Sequence, residues 1–173
     1  AGDSLNANDL LDTDAAYSAV VNGVAVAPYT EATSTSTGST SYYMGGKGIG
    51  SGSNDYAQFV MPTTGYANMV LAFRLRASNT GAGSFQMQYS TDGVDFKNLS
   101  NGTYAYKYTK YVGGEPQEVS AAEKITDGVA KTSLAPANYI SFTFDIPNEA
   151  ANADRLYIRM VPGSLSAKGD KAP

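Results

Sequence analysis

Asn68-Met-Val-Leu-Ala-Phe-Arg-Leu-Arg-Ala77 and Ser84-Phe-Gln-Met-Gln-Tyr-Ser90 alternate apolar with polar residues. Successive side chains of a strand point to opposite faces, so Phe73, Leu75 and Ala77 fall on one side and Arg74 and Arg76 on the other. In the second segment Phe85, Met87 and Tyr89 oppose Gln86 and Gln88 in the same way. The intervening Asn79-Thr-Gly-Ala-Gly83 predicts a hairpin. Asp92-Gly93 then marks a tight turn into Val94–Leu99, which extends the hairpin to a meander of three strands.

The same period recurs on both sides of this pair. Ala16–Ala27 holds two apolar runs around Asn22-Gly23, a dipeptide that tolerates positive φ and suits a two-residue hairpin turn. The preceding Asn6–Asp14 is compatible with a helix start capped by Asn8 or Asp9. Asp55–Met61 places Ala57, Phe59 and Met61 on one face. Thr103–Tyr111 aligns Tyr104, Tyr106 and Tyr108, Tyr139–Ile146 aligns Ile140, Phe142, Phe144 and Ile146, and Leu156–Val161 sets Leu156, Ile158 and Met160 against Tyr157 and Arg159. Two regions break the rhythm. Residues 30–54 are rich in Ser, Thr and Gly and predict a long surface excursion, whose Gly45–Gly52 cluster lacks the Gly-Lys-Ser/Thr ending of a phosphate loop. Residues 113–136 read as an inserted loop in which Ser120-Ala-Ala-Glu123 has capping-box spacing and Gly128 limits any helix to about two turns. Short strands without a β–α rhythm predict an all-β fold: an antiparallel two-sheet sandwich of jelly-roll type with little helix, forming a single domain over residues 1–173.

Composition narrows the chemistry. The 173 residues suit one domain, with 42% apolar and only 16% charged residues and 18 glycines. The chain contains no histidine, cysteine or tryptophan. A Ser-His-Asp triad, a thiol nucleophile and a Cys/His zinc site are therefore excluded. A net charge of −4 argues against a nucleic-acid surface, which needs clustered cations to displace counterions from phosphates. The longest apolar run, Met69 to Phe73, is far shorter than the ~20 residues of a membrane-spanning helix.

Gly65-Tyr-Ala-Asn-Met-Val-Leu71, Ser78-Asn-Thr-Gly81, Gln88-Tyr-Ser-Thr-Asp-Gly-Val-Asp-Phe96 and Leu156-Tyr-Ile-Arg159 together resemble the jelly-roll accessory modules of secreted bacterial proteins. Such modules are similar to carbohydrate-binding and galactose-binding-like domains. The resemblance covers about residues 55–100 and 139–161. It implies an extracellular, cell-surface location, a glycan or polysaccharide partner, and a structural calcium ion to which Asp12, Asp14 and Asp154 are the candidate ligands. The spacing of Asp9, Asp12 and Asp14 lacks the sixth-position Gly and terminal Glu of an EF-hand loop. The chain departs from the family in lacking tryptophans, in having no further strand pattern after Val161, and in the length of 103–136.

Two surfaces are candidate binding sites. The predicted hairpin puts Arg74, Arg76, Gln86 and Gln88 on one polar face, joined by Tyr157 and Arg159 if that strand lies in the same sheet. Guanidinium forks and amides suit bidentate contacts to vicinal hydroxyls or to the carboxylates of acidic sugars. The competing reading is a solvated face with arginines paired to Asp145 or Glu149. Tyr104, Tyr106 and Tyr108 offer either a stacking platform for sugar rings or a cover over one side of the sandwich. Catalysis is not expected. The glutamates Glu31, Glu115, Glu118, Glu123 and Glu149 all fall in predicted loops or caps, whereas a glycosidase needs two rigidly held carboxylates about 5–9 Å apart. The expected function is non-catalytic glycan binding or adhesion. The alternative is a structural subunit of a surface layer or filament, in which another subunit's terminus pairs with the edge left by a missing last strand.

Overall fold

In the computed structural model the described residues are 16–21, 24–26, 29–31, 43–45 and 55–163. Within them the period-two segments form strands β1 (Ala16–Val21), β2 (Val24–Val26), β3 (Tyr29–Glu31), β4 (Tyr43–Gly45), β5 (Tyr56–Met61), β6 (Val70–Leu75) and β7 (Phe85–Ser90). They continue as β8 (Lys97–Asn98), β9 (Gly102–Val112), β10 (Glu115–Ile125), β11 (Val129–Ala130), β12 (Ile140–Asp145) and β13 (Leu156–Pro162). Among the described residues the only helical pieces are the 3₁₀ turns Thr132–Leu134 and Asn148–Ala150. The expected all-β architecture is observed.

Two antiparallel sheets stack. One has the order β11-β7-β13-β5-β1-β2, with β8 also on β7, and the other has the order β10-β9-β12-β6. The chain crosses between them repeatedly, and the late strands insert between early ones, β13 between β5 and β7 and β12 between β6 and β9, as in a jelly roll. β3 and β4 make a separate two-stranded ladder, so part of the predicted 30–54 excursion is strand. The expected early hairpin is borne out by the antiparallel pairing of β1 with β2, Val21↔Val24; its turn residues Asn22 and Gly23 lie outside the described residues. The predicted start of a helix at Asn6–Asp14 lies outside the described residues.

The inward rows meet in one core. Ile140, Phe142 and Phe144 of β12 are no more than 1% exposed, and they face Met87, Leu156 and Ile158 of the other sheet. Phe73 stacks on Phe142 and Phe144 with ring centroids 5.5 and 6.2 Å apart. Burying a side chain of this size contributes about 1.5–3 kcal/mol, so the shared interior holds the two sheets together.

Three expectations are corrected. First, β6 and β7 are not a hairpin: β6 pairs with β12 and β7 with β13, and residues 76–84 carry the chain from one sheet to the other. Alternation specifies which face a residue occupies, not which strand lies alongside, and Phe73 and Met87 are buried equally well when their strands face each other across the core. Of Val94–Leu99 only Lys97–Asn98 joins the sheet, so the three-strand meander is reduced to β7–β8. Second, 113–136 is not an inserted loop with a short helix. β9 and β10 form an eleven-residue ladder closed at Gly113-Gly114, whose φ values of +62° and +91° suit a primed two-residue turn. Eleven cross-strand pairs outweigh one four-residue capping signal, and they move Glu115, Glu118 and Glu123 from predicted loops into a strand. Third, Glu31, expected in a loop or cap, lies in β3.

Gly128 marks the tightest backbone approach. It has φ +70°, its carbonyl accepts from Met87 N at 2.9 Å, and a Cβ there would stand 1.7 Å from Leu99 O. Gly128→Ala is expected to lower the thermal midpoint by roughly 6–12 °C, through both positive-φ strain and collision with the backbone of Leu99, just past β8. A scan with the midpoint unchanged would contradict this placement.

Candidate functional site

The predicted six-residue polar face divides between the two sides of the sandwich. Gln86, Gln88, Tyr157 and Arg159 lie on the outer face of the larger sheet, where Arg159 is paired with Gln88 on one side and Gln58 on the other. Arg74 of β6 and Arg76, which immediately follows that strand, lie with the smaller sheet, on the opposite side. The correction follows from the sheet crossing between β6 and β7.

On the larger sheet the polar groups are engaged within the chain. The Arg159 guanidinium is held between two rings, 3.6 Å from the Phe96 centroid and 4.1 Å from that of Tyr56. Its Nε donates to Gln58 Oε1 at 2.7 Å, and a terminal nitrogen donates to Tyr56 Oη at 3.4 Å. Gln88 Nε2 donates to Asn98 Oδ1, and the Gln86 amide donates to the carbonyls of Met87 and Gly128. Phe96 also meets Tyr157 edge-on, and the Tyr157 ring lies over Gly93. These contacts clamp the turn after β7 onto the sheet. Asp92 organises that turn: its Oδ1 accepts from the backbone N–H groups of Val94 and Asp95 and from Ser90 Oγ. Those donors pull the carboxyl from its ordinary 3.8 down to about 2.

On the smaller sheet the outward side chains leave a trough. The cross-strand row Arg74–Ser141–Ala105–Ala122 runs across all four strands, and Lys107–Ser120 forms the row above it. Small side chains at the centre and long ones at the rim produce a groove of about 520 Å³ lined by Arg74, Lys107, Ser120, Tyr139 and Ser141 together with the alanines. The Arg74 and Arg76 guanidiniums both sit over the Tyr139 ring, 5.0 and 5.8 Å from its centroid. Among the described residues neither arginine is ion-paired. The expected partners do not meet them: Glu149 is bound by Lys97 Nζ at 2.8 Å and by Tyr89 Oη, while Asp145 lies at the far end of β12, opposite Val70. Lys107 pairs with Glu118 at 2.7 Å on the other rim. Two exposed guanidiniums thus lie over one aromatic ring beside a floor of hydroxyl and methyl groups, an arrangement whose planar donor forks match the geometry of a carboxylate.

The tyrosine strand faces the other way. Tyr104, Tyr106 and Tyr108 lie on the inner face of β9 and pack against the core, with successive centroids 6.2 and 6.0 Å apart. They cover the sandwich, and of the three only Tyr106 also borders the groove. Burial and a hydrogen bond with Glu123 push the Tyr104 phenol up. For calcium, Asp12 and Asp14 lie outside the described residues, Asp154 is exposed, and no cluster of three acidic residues is found among the described residues. Tyr139 was the residue missed by sequence reading. Its position immediately before the apolar alternation of β12 was the available signal, since the residue preceding inward Ile140 falls on the arginines' face. Comparison with known protein families, curated proteins and solved structures gives no match.

The Asp92 turn supplies a pH prediction. A carboxyl held low in the folded state stabilises above its ordinary value, and that contribution disappears as pH falls from near 3.8 toward 2. Urea midpoints measured across this window should fall more steeply for the native chain than for Asp92→Asn. Parallel curves would contradict the role given to Asp92.

Proposed function

We propose that this chain is a non-catalytic, extracellular glycan-binding module that takes acidic polysaccharide along the outer face of the smaller sheet. The observation that carries the reading is the pair Arg74 and Arg76, stacked on Tyr139 and without carboxylate partners among the described residues. A uronate carboxylate fits the planar fork of either guanidinium, and the sugar ring then lies over Tyr139 and the small-residue floor. Ser120 and Ser141 supply hydroxyl partners along the groove. The low overall charge agrees with a local rather than a global attraction, so binding is by this patch and weakens with salt.

The test is retention on immobilised polyuronate against a neutral glucan. Arg74→Ala with Arg76→Ala is expected to weaken retention at least about tenfold, because each charge-assisted contact contributes about 1.5–3 kcal/mol. Both side chains are exposed, so the melting temperature should stay within about 2 °C. Arg159→Ala should do the reverse, destabilising the fold by about 1–2 kcal/mol through its lost ring and Gln58 contacts while leaving retention intact. Unchanged retention in the double-alanine variant would refute the site.

A further inference from the structure

The smaller sheet ends at β6, and that end is not closed. Leu71, Phe73 and Leu75 point into the core but remain half-buried, whereas the corresponding residues of neighbouring β12 are no more than 1% exposed. On the outer side Val70 is 56% exposed. Among the described residues β6 pairs with β12 alone. The other sheet ends are blunted. β10 contains Pro116 and the charged Glu115, Glu118, Glu123 and Lys124, while β2, β8 and β11 are three, two and two residues long. β6 has six residues without proline, lysine or positive φ, which is the kind of edge that recruits another strand.

We propose that β6 is the interface of a two-fold dimer, in which a second copy of this chain pairs antiparallel with the first and joins the two smaller sheets. Place the two-fold axis midway between the Ala72 residues of the two copies, normal to the sheet. Inward residues then meet inward residues, Leu71 opposite the partner's Phe73 and Leu75 opposite the partner's Met69, and both half-buried rows are covered. Outward, Arg74 of each copy lies opposite Val70 of the other. Asp145 is the neighbour of Val70 on β12. Arg74 of one copy therefore stands two strand spacings, about 10 Å between Cα atoms, from Asp145 of the other, a span that the two side chains bridge. Both residues are exposed, and neither is ion-paired within the described residues. The symmetry makes this contact twice. This arrangement is argued from the open β6 edge and not from the groove, but it shares Arg74 with the glycan reading, since in the dimer that guanidinium faces a carboxylate; it differs from filament growth by donated termini, because an isologous pairing closes on itself.

Sedimentation equilibrium of the full chain tests it. The native chain is expected to show a concentration-dependent monomer–dimer equilibrium, with the mass doubling from 18.1 kDa. Val70→Lys and Asp145→Arg each set a cation against the partner's Arg74 and should weaken association at least about tenfold. Arg74→Asp combined with Asp145→Arg should restore it to within about threefold of the native chain, because the swapped charges again face each other. That double variant also loses Arg74 from the groove, so polyuronate retention falls while dimerisation returns, which separates failure of one idea from failure of the other. A native chain that stays monomeric at several hundred micromolar, open-ended polymers, or variants that associate as the native chain does would each overturn the proposal.

Discussion

Everything in this molecule depends on two rows of apolar side chains pressed together between sheets. Ile140, Phe142 and Phe144 have no route to water, and Met87, Leu156 and Ile158 close over them from the other side. Because strand side chains alternate, fixing these rows inward fixes every intervening residue outward. The polar surfaces are thus by-products of the core: Arg74, Ser141 and Thr143 are outside because Phe73, Phe142 and Phe144 are inside.

The two outer faces use their polar groups differently. On the larger sheet, rings and amides consume the donors of Arg159, Gln86 and Gln88, and the result is a fastened turn. On the smaller sheet, alanines and serines at the centre are too short to reach the arginines, so Arg74 and Arg76 rest on Tyr139 instead. Side-chain length alone accounts for the difference. A guanidinium surrounded by reachable acceptors becomes structural, and one above a shallow floor remains open to an external anion.

Strand positions and faces were largely legible from alternation. The segments containing Phe59, Phe73, Met87, Phe142 and Ile158 are strands with those residues inward. Strand partners were not legible, since the inward row of β6 is satisfied equally by a neighbour in its own sheet and by one across the core. The supposed single Arg–Gln face was lost for that reason. In 113–136 a local helix-start pattern at Ser120–Glu123 is overridden by the long-range pairing of β10 with β9. The Gly113-Gly114 dipeptide was the overlooked signal, as it permits the tight reversal that brings Val112 beside Glu115. Tyr139 escaped notice because its importance lies in what two residues of another strand do above it.

The ribbon of β9 and β10 continues past β12, which pairs with β9 only over Gly102–Ala105. Its tip carries exposed Tyr111 and Val112, and a side-chain carbon added at Gly113 or Gly114 would meet nothing within 4 Å. The distal turn is therefore remote from the shared interior, from the arginines and from the β6 margin. Foreign peptide spliced in at this point would be carried outward on the paired ribbon, away from the packed interior.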